Sequence, residues 1–81
     1  MVDATPDTDK IDDAVMSLLY LTAVKDGECV RAWKSFDWDA MNRLNERGFI
    51  SNPKTKAKSI VLTDQGQRRA EALFKKLFCK T

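Results

Sequence analysis

The chain has 81 residues, 43% hydrophobic and 32% charged, the make-up of one small globular domain rather than of a multidomain enzyme, a disordered chain or a membrane protein. At this length folding buries only about 60% of the surface the unfolded chain exposes, so the stability margin is narrow. The net charge of +2 is unevenly spread: residues 1–28 carry seven acids against two bases, a net −5, and residues 29–81 carry twelve bases against five acids, a net +7.

A basic body behind an acidic start suits a polyanion partner, and it equally suits a solvated surface with a solubilising tail. The longest apolar runs, Ala14-Val15-Met16 and Leu18 to Leu21, fall far short of the ~20 residues of a membrane span. The start is acidic and lacks the apolar centre of a signal peptide. The expected setting is the bacterial cytoplasm, with no membrane contact. Cys29 and Cys79, in a chain with no histidine, form neither a zinc pattern nor a disulfide framework. They are expected to be half-buried reduced thiols; a disulfide between them would need the C-terminal end to pack near the end of the first helix.

Residues 1–9 show no apolar periodicity and are expected to form a disordered acidic tail, leaving 10–81 as the single domain. Asp9 is the expected N-cap of a first helix, with Asp12 and Asp13 near the positive end of its dipole. Ile11, Val15, Leu18, Leu19 and Thr22 form its apolar stripe, widened by Ala14, Tyr20 and Leu21, and Gly27 is its expected left-handed stop. The segment from Val30 to Phe36, with Trp33 and Phe36 separated by basic residues, fits a short strand, a turn of helix or an ordered loop. Asp37 then caps a helix running to about Arg47 and stopped by Gly48. Trp38, Met41 and Leu44 lie on its inward face, and Asn42, Arg43, Glu46 and Arg47 on its outward one.

Phe49 to Ser51 begins a strand, Asn52 to Ala57 is turn chemistry, and Lys58 to Leu62 resumes a strand. Thr63 caps a final helix with Gly66, Ala70, Leu73, Phe74 and Leu77 on one face and Phe78 beside it. Gly66 in its first turn admits a neighbouring backbone. The expected core is Leu18, Leu19, Trp33, Trp38, Leu44, Ile60 and Leu73. This succession is an α+β fold of reduced winged-helix type: helix, aromatic loop, helix, β-hairpin wing, C-terminal helix.

Candidate binding residues follow from that frame. Lys54, Lys56 and Lys58 on the wing are placed to meet a phosphate backbone, which gives affinity without base specificity; the same lysines also serve to keep an edge strand from pairing with other chains. Asn42 and Arg43 are residue types that bond base edges, and Arg47 extends the basic end of that helix. Asp37, Asp39 and Glu46 oppose docking on phosphates. Trp33 and Trp38 would stack a base or anchor a partner if exposed, and would plug the core if buried. Leu73, Phe74, Leu77 and Phe78 give the last helix more apolar width than one small core absorbs, which suits a homodimer. With no glycine-rich phosphate loop and no spaced metal ligands, the chain is expected to be no enzyme and to need no cofactor, metal or small-molecule ligand.

The run Arg31-Ala32-Trp33-Lys34-Ser35-Phe36-Asp37-Trp38-Asp39, with Lys56-Ala57-Lys58-Ser59 and Leu62-Thr63-Asp64-Gln65-Gly66, resembles a small bacterial family of unknown function across residues 11–78. More loosely, Leu44 to Leu77 resembles the wing and following helix of winged-helix regulators of the antibiotic-resistance-regulator type. That resemblance implies binding of operator DNA as a dimer through a recognition helix and a wing. Those regulators have a further helix between the first and the recognition helix, for which residues 28–36 leave too little chain. Two functions are therefore expected in competition: a nucleic-acid-binding or transcription-associated module contacting double-stranded DNA, and a protein-interaction module, homodimeric and without DNA binding.

Overall fold

A computed structural model of the chain describes residues 4–80. Helix α1 (Thr8–Thr22) starts at Asp7, whose carboxylate accepts the backbone N–H groups of Asp9 (3.1 Å) and Lys10 (3.2 Å). Asp9 is therefore a first-turn residue and not the cap. A cap reaches the second and third N–H groups of the helix from the residue just before it, and Asp7 holds that place. Thr8 and Asp9, expected in the tail, are helical, and residues 1–3 of that tail lie outside the described residues. The buried stripe runs through Asp12, Val15, Met16 and Leu19, about one residue round from the expected one; Ile11 and Thr22 are exposed and Leu18 is half-buried. The rotation follows from Asp12, which turns inward to a partner on another helix.

Gly27 does not stop α1. The helix ends where Ala23 becomes extended, and Gly27 turns the hairpin between β1 (Val24–Asp26) and β2 (Cys29–Trp33), with Asp26 opposite Cys29. Its φ of 63°, followed by Glu28 without positive φ, is the type II′ arrangement that matches strand twist and that glycine adopts without strain. The segment left open by the sequence is the middle strand of a three-stranded antiparallel sheet, ordered β1-β2-β3, whose last member is β3 (Ser59–Leu62). Ala32 lies opposite Ile60 and Val30 opposite Leu62, all toward the core, so Cys29, Arg31 and Trp33 fall on the outer face.

Helix α2 (Trp38–Glu46) is capped by Asp37, which accepts the Ala40 N–H at 3.1 Å, and the chain reverses at Gly48, as expected. Ala40, Met41 and Leu44 are buried, but Trp38 is not. The expected two-stranded wing is not formed. Ile50 makes a single bridge to Leu62, and β3 takes its main partner from β2. Asn52-Pro53 breaks the ladder one residue beyond Ser51, whose hydroxyl accepts the Val61 N–H (2.9 Å) in place of a backbone carbonyl.

Thr63 caps α3 (Asp64–Phe78), accepting the Gly66 N–H at 2.9 Å and donating its hydroxyl to the Gly48 carbonyl at 2.7 Å. Gly66 packs directly on the Phe49 carbonyl, the close approach its lack of a Cβ permits. The core joins Met16, Leu19, Met41, Leu44, Ile50, Ile60, Leu62 and Leu73. Leu19, Leu44, Ile60 and Leu73 are thus where they were expected, whereas Trp33 and Trp38 are outside it. The sheet's inner face is filled by Ala32, Ile60 and Leu62, and Trp33, one residue beyond Ala32, necessarily points away. Cys29 and Cys79 are free and exposed rather than half-buried: one opens the outer face of β2, the other follows the last turn of α3. No helix among the described residues is long and apolar enough to cross a membrane.

Candidate functional site

The residues expected on the outward face of α2 do not form one free surface. Arg43 turns toward α1 and grips Asp12 with two parallel bonds, Nε to Oδ2 at 2.8 Å and a terminal nitrogen to Oδ1 at 2.7 Å. Asp12 is only 2% exposed. The hydrogen bond to Asp12 raises the Arg43 pKa, burial opposes that rise, and the nearby Asp12, Asp39 and Asp37 charges add to it. Both carboxylate oxygens are satisfied by one fork, the geometry in which an arginine holds a buried acid well. Freeing Arg43 to read a base would leave Asp12 charged and unpaired in the core, so this side chain holds α1 to α2. What remains open on α2 is Trp38, Asp39, Asn42 and Glu46, whose formal charge is negative.

Asn42 lines a polar groove with Asn45, Glu46, Asn52 and Lys54. Asn45 is not free in it, since its amide donates to the Ile50 carbonyl at 3.0 Å. Arg47 lies past the helix end with its guanidinium 5.0 Å from the centre of the Phe49 ring, a cation–π contact at an exposed position. Asn42 and Arg47 are accessible but are not brought together with Arg43 into a reading head.

The lysines lie together on one loop. Lys54, Lys56 and Lys58 are all exposed between Pro53 and β3, and among the described residues none is ion-paired. The loop holds its shape without being a strand. Asn52 accepts the Lys54 N–H at 2.9 Å, Pro53 is buried, and Lys34 reaches across to donate its ammonium to the carbonyls of Pro53 (2.8 Å) and Thr55 (2.6 Å). Lys34 is spent in this tie, which presents its three neighbours outward.

Trp33 and Trp38 border the same loop. Trp33 pairs with Ser59, the residue after Lys58, and the Lys34 N–H donates to the Lys58 carbonyl at 3.2 Å. The Trp38 ring lies 5.8 Å from the Lys34 ammonium, itself bonded to Pro53 and Thr55. Trp33 is 59% exposed and Trp38 55% exposed. Leaving that much of each indole in water forgoes roughly 2–4 kcal/mol of burial apiece, a large concession in so small a domain. Sequence reasoning that took these side chains for core plugs missed the arrangement, as it missed Lys34. The available signal was the alternation of Val30 and Ala32 with Arg31 and Trp33.

A second exposed region lies on α1 and α3. Tyr20, Phe74 and Phe78 form a chain of tilted rings, with centroids 5.3 Å apart for the first pair and 6.0 Å for the second. Leu77 and Phe78 are about half exposed and, with Lys10, Asp13, Ala14 and Lys76, edge a shallow groove. Leu73, expected to share that surface, is buried in the chain's own core, and Phe74 is half-buried. Among the described residues no three His, Cys, Asp or Glu side chains are grouped to hold a metal ion.

Comparison with known proteins places these features in a family. An uncharacterised protein of Sinorhizobium fredii (strain NBRC 101917 / NGR234), y4hR, is 55% identical over 74 residues, covering 91% of this chain and 96% of the relative. No solved structure matches the chain. Residues 7–80, from the α1 cap to the last described residue, match the family described as "Domain of unknown function (DUF6429)", and the chain belongs to that family.

Proposed function

We propose that the chain is a non-catalytic nucleic-acid-binding module of reduced winged-helix architecture, contacting its ligand through the loop of residues 53–58 rather than by laying α2 in a major groove. One observation carries this reading: three exposed, unpaired lysines share a pinned loop bordered by two exposed tryptophans. Ammonium groups so placed attract phosphates without reading sequence. The winged-helix element rests on the order of α1, sheet, α2, β3 and α3, with the Ile50–Leu62 bridge as the stub of a wing. Arg43, engaged by Asp12, has no part in it, and Asp39 and Glu46 disfavour groove entry along α2.

Fluorescence anisotropy with labelled nucleic acid of mixed sequence tests the reading. Binding is expected at low salt and to weaken to a dissociation constant of roughly 10⁻⁴–10⁻⁶ M at physiological salt. Replacing Lys54, Lys56 and Lys58 together by Ala should weaken binding to every sequence alike and reduce the slope of log K on log salt by roughly two to three units. No binding at low salt would defeat the proposal.

The exposed Leu77 and Phe78 favour a second reading, a protein-interaction module that pairs with another copy of itself through α1 and α3. Sedimentation should then detect a dimer at micromolar protein, weakened by Phe78→Ser. A monomer at hundreds of micromolar would end that reading.

A further inference from the structure

We propose that the ligand of this site is single-stranded nucleic acid, held by stacking of unpaired bases on Trp33 and Trp38 while the loop lysines follow its phosphates. This rests on the nucleic-acid reading above and narrows it. The two indoles are at opposite ends of one basic loop: Trp33 faces out of the sheet opposite Ser59, and Trp38 begins α2 beside the Lys34 ammonium that ties down Pro53 and Thr55. Both are more than half exposed, at 59% and 55%, and neither takes part in a ring–ring contact among the described residues. Each leaves more than half of its surface to a planar ligand, and on Trp38 the Lys34 ammonium stands over one face.

A duplex does not exploit this geometry. Its bases are already stacked on one another, so an indole meets only backbone or groove edge, whereas a single strand offers a free face at every base. A duplex also requires some element to enter a groove. The open face of α2 carries Asp39 and Glu46, and its one arginine is committed to buried Asp12. A single strand needs only cations on the same segment as the aromatic faces, and Lys54, Lys56 and Lys58 are exposed on the loop that Lys34 joins to Trp38 and that leads into Ser59 opposite Trp33. Two carboxylates lie near Trp38. Both charges work against the site: Asp37 is held in capping α2 through the Ala40 N–H, and Asp39, exposed and next to Trp38 in the chain, is the one that can be neutralised without loosening the helix.

Trp33 and Trp38 are the chain's two tryptophans, so emission excited beyond the absorption of Tyr20 reports on this site alone. The test titrates the full chain at low salt with oligothymidylate and, separately, with a mixed-sequence duplex of equal length, following tryptophan emission and the anisotropy of a labelled strand. Oligothymidylate should quench the emission and bind more tightly than the duplex. Trp33→Ser and Trp38→Ser should each weaken it by roughly 5- to 150-fold, Trp38→Phe should recover part of the loss, and Asp39→Asn should tighten it. Tighter binding to the duplex with unchanged emission would overturn stacking while leaving nucleic-acid binding in place. Absence of binding to both would overturn the two together and reassign the tryptophans to a protein contact. If a serine variant fails to fold by circular dichroism, the wild-type quench and the phenylalanine variant decide the matter.

Discussion

Gly66→Ala sets two effects of opposite sign against each other. Gly66 lies in the first turn of α3, where helix propensity alone favours alanine by about 1 kcal/mol. Packing opposes it. A Cβ at this position would overlap the Phe49 carbonyl, lying 2.8 Å from its carbon, and the atoms it meets are backbone with no flexible end to move aside. That carbonyl accepts the Thr63 N–H at 3.1 Å, so displacing it disturbs the residue that caps the helix. Losing this bond and leaving its donor unpaired costs about 1–3 kcal/mol, and overpacking a filled site costs a further ~1–3 kcal/mol. After the propensity gain, the net loss is about 3 kcal/mol, within a range of about 1–5 kcal/mol. For a domain of this size that lowers Tm by roughly 10–25 °C. Urea unfolding followed by circular dichroism measures it, with Gln65→Ala, exposed in the same turn, as a control expected within about 0.5 kcal/mol of wild type. A Gly66→Ala protein as stable as wild type, or more so, would refute the close approach of α3 to Phe49.

Other substitutions separate the remaining structural claims. Leu44→Ala should cost about 2–5 kcal/mol, since the side chain is fully buried between α2 and the core, and an unchanged urea midpoint would count against that face. Trp33→Ser should cost about 1–2.5 kcal/mol, the worth of the covered part of the indole, where a fully buried tryptophan cut to a small residue costs about 3–5 kcal/mol, so the unfolding midpoint separates the two placements. Asp12→Leu and Arg43→Met, made singly, should each lower the midpoint, with Arg43→Met the worse because it leaves a carboxylate buried without its partner. The double variant should recover part of the loss, and simple additivity would show that the pair is not coupled.

Much of the framework is legible residue by residue. Asp37 and Thr63 are caps because a short acceptor side chain stands directly before an amphipathic run, a relation contained within four residues. The turn at Gly48 is likewise local, and Gly66, expected to admit a neighbouring backbone, meets Phe49 from a distant part of the chain. Leu19, Leu44, Ile60 and Leu73 reach the core because each lies on the apolar side of its own periodic element. The Gly27-Glu28 pair was also readable as a two-residue hairpin turn, and taking Gly27 for a helix stop is what hid β1 and β2.

What no local pattern contains is which surfaces meet. Strand β3 has two edges: along one it pairs with the distant β2, and along the other Asn52-Pro53 cuts the ladder short, leaving only the Ile50 bridge. Arg43 belongs to an outward face by helical spacing, yet α1 brings Asp12 within 2.7 Å of it, and a buried carboxylate outcompetes solvent for a guanidinium. The tryptophans show the limit most plainly. Hydrophobicity argues for burying both; for Trp33 the assembly of the sheet decides otherwise, since Ala32, Ile60 and Leu62 fill its inner face and Trp33 lies on the other side, and Trp38 starts α2 off the face that buries Ala40, Met41 and Leu44. Composition and spacing therefore determined the three helices, the caps of α2 and α3 and part of the core, because those follow from neighbours within a turn or two. The tertiary structure decided the strand pairing, the Asp12–Arg43 lock and the exposure of Trp33 and Trp38 beside the lysine loop, because each depends on residues far apart in the chain competing for the same space or the same charge.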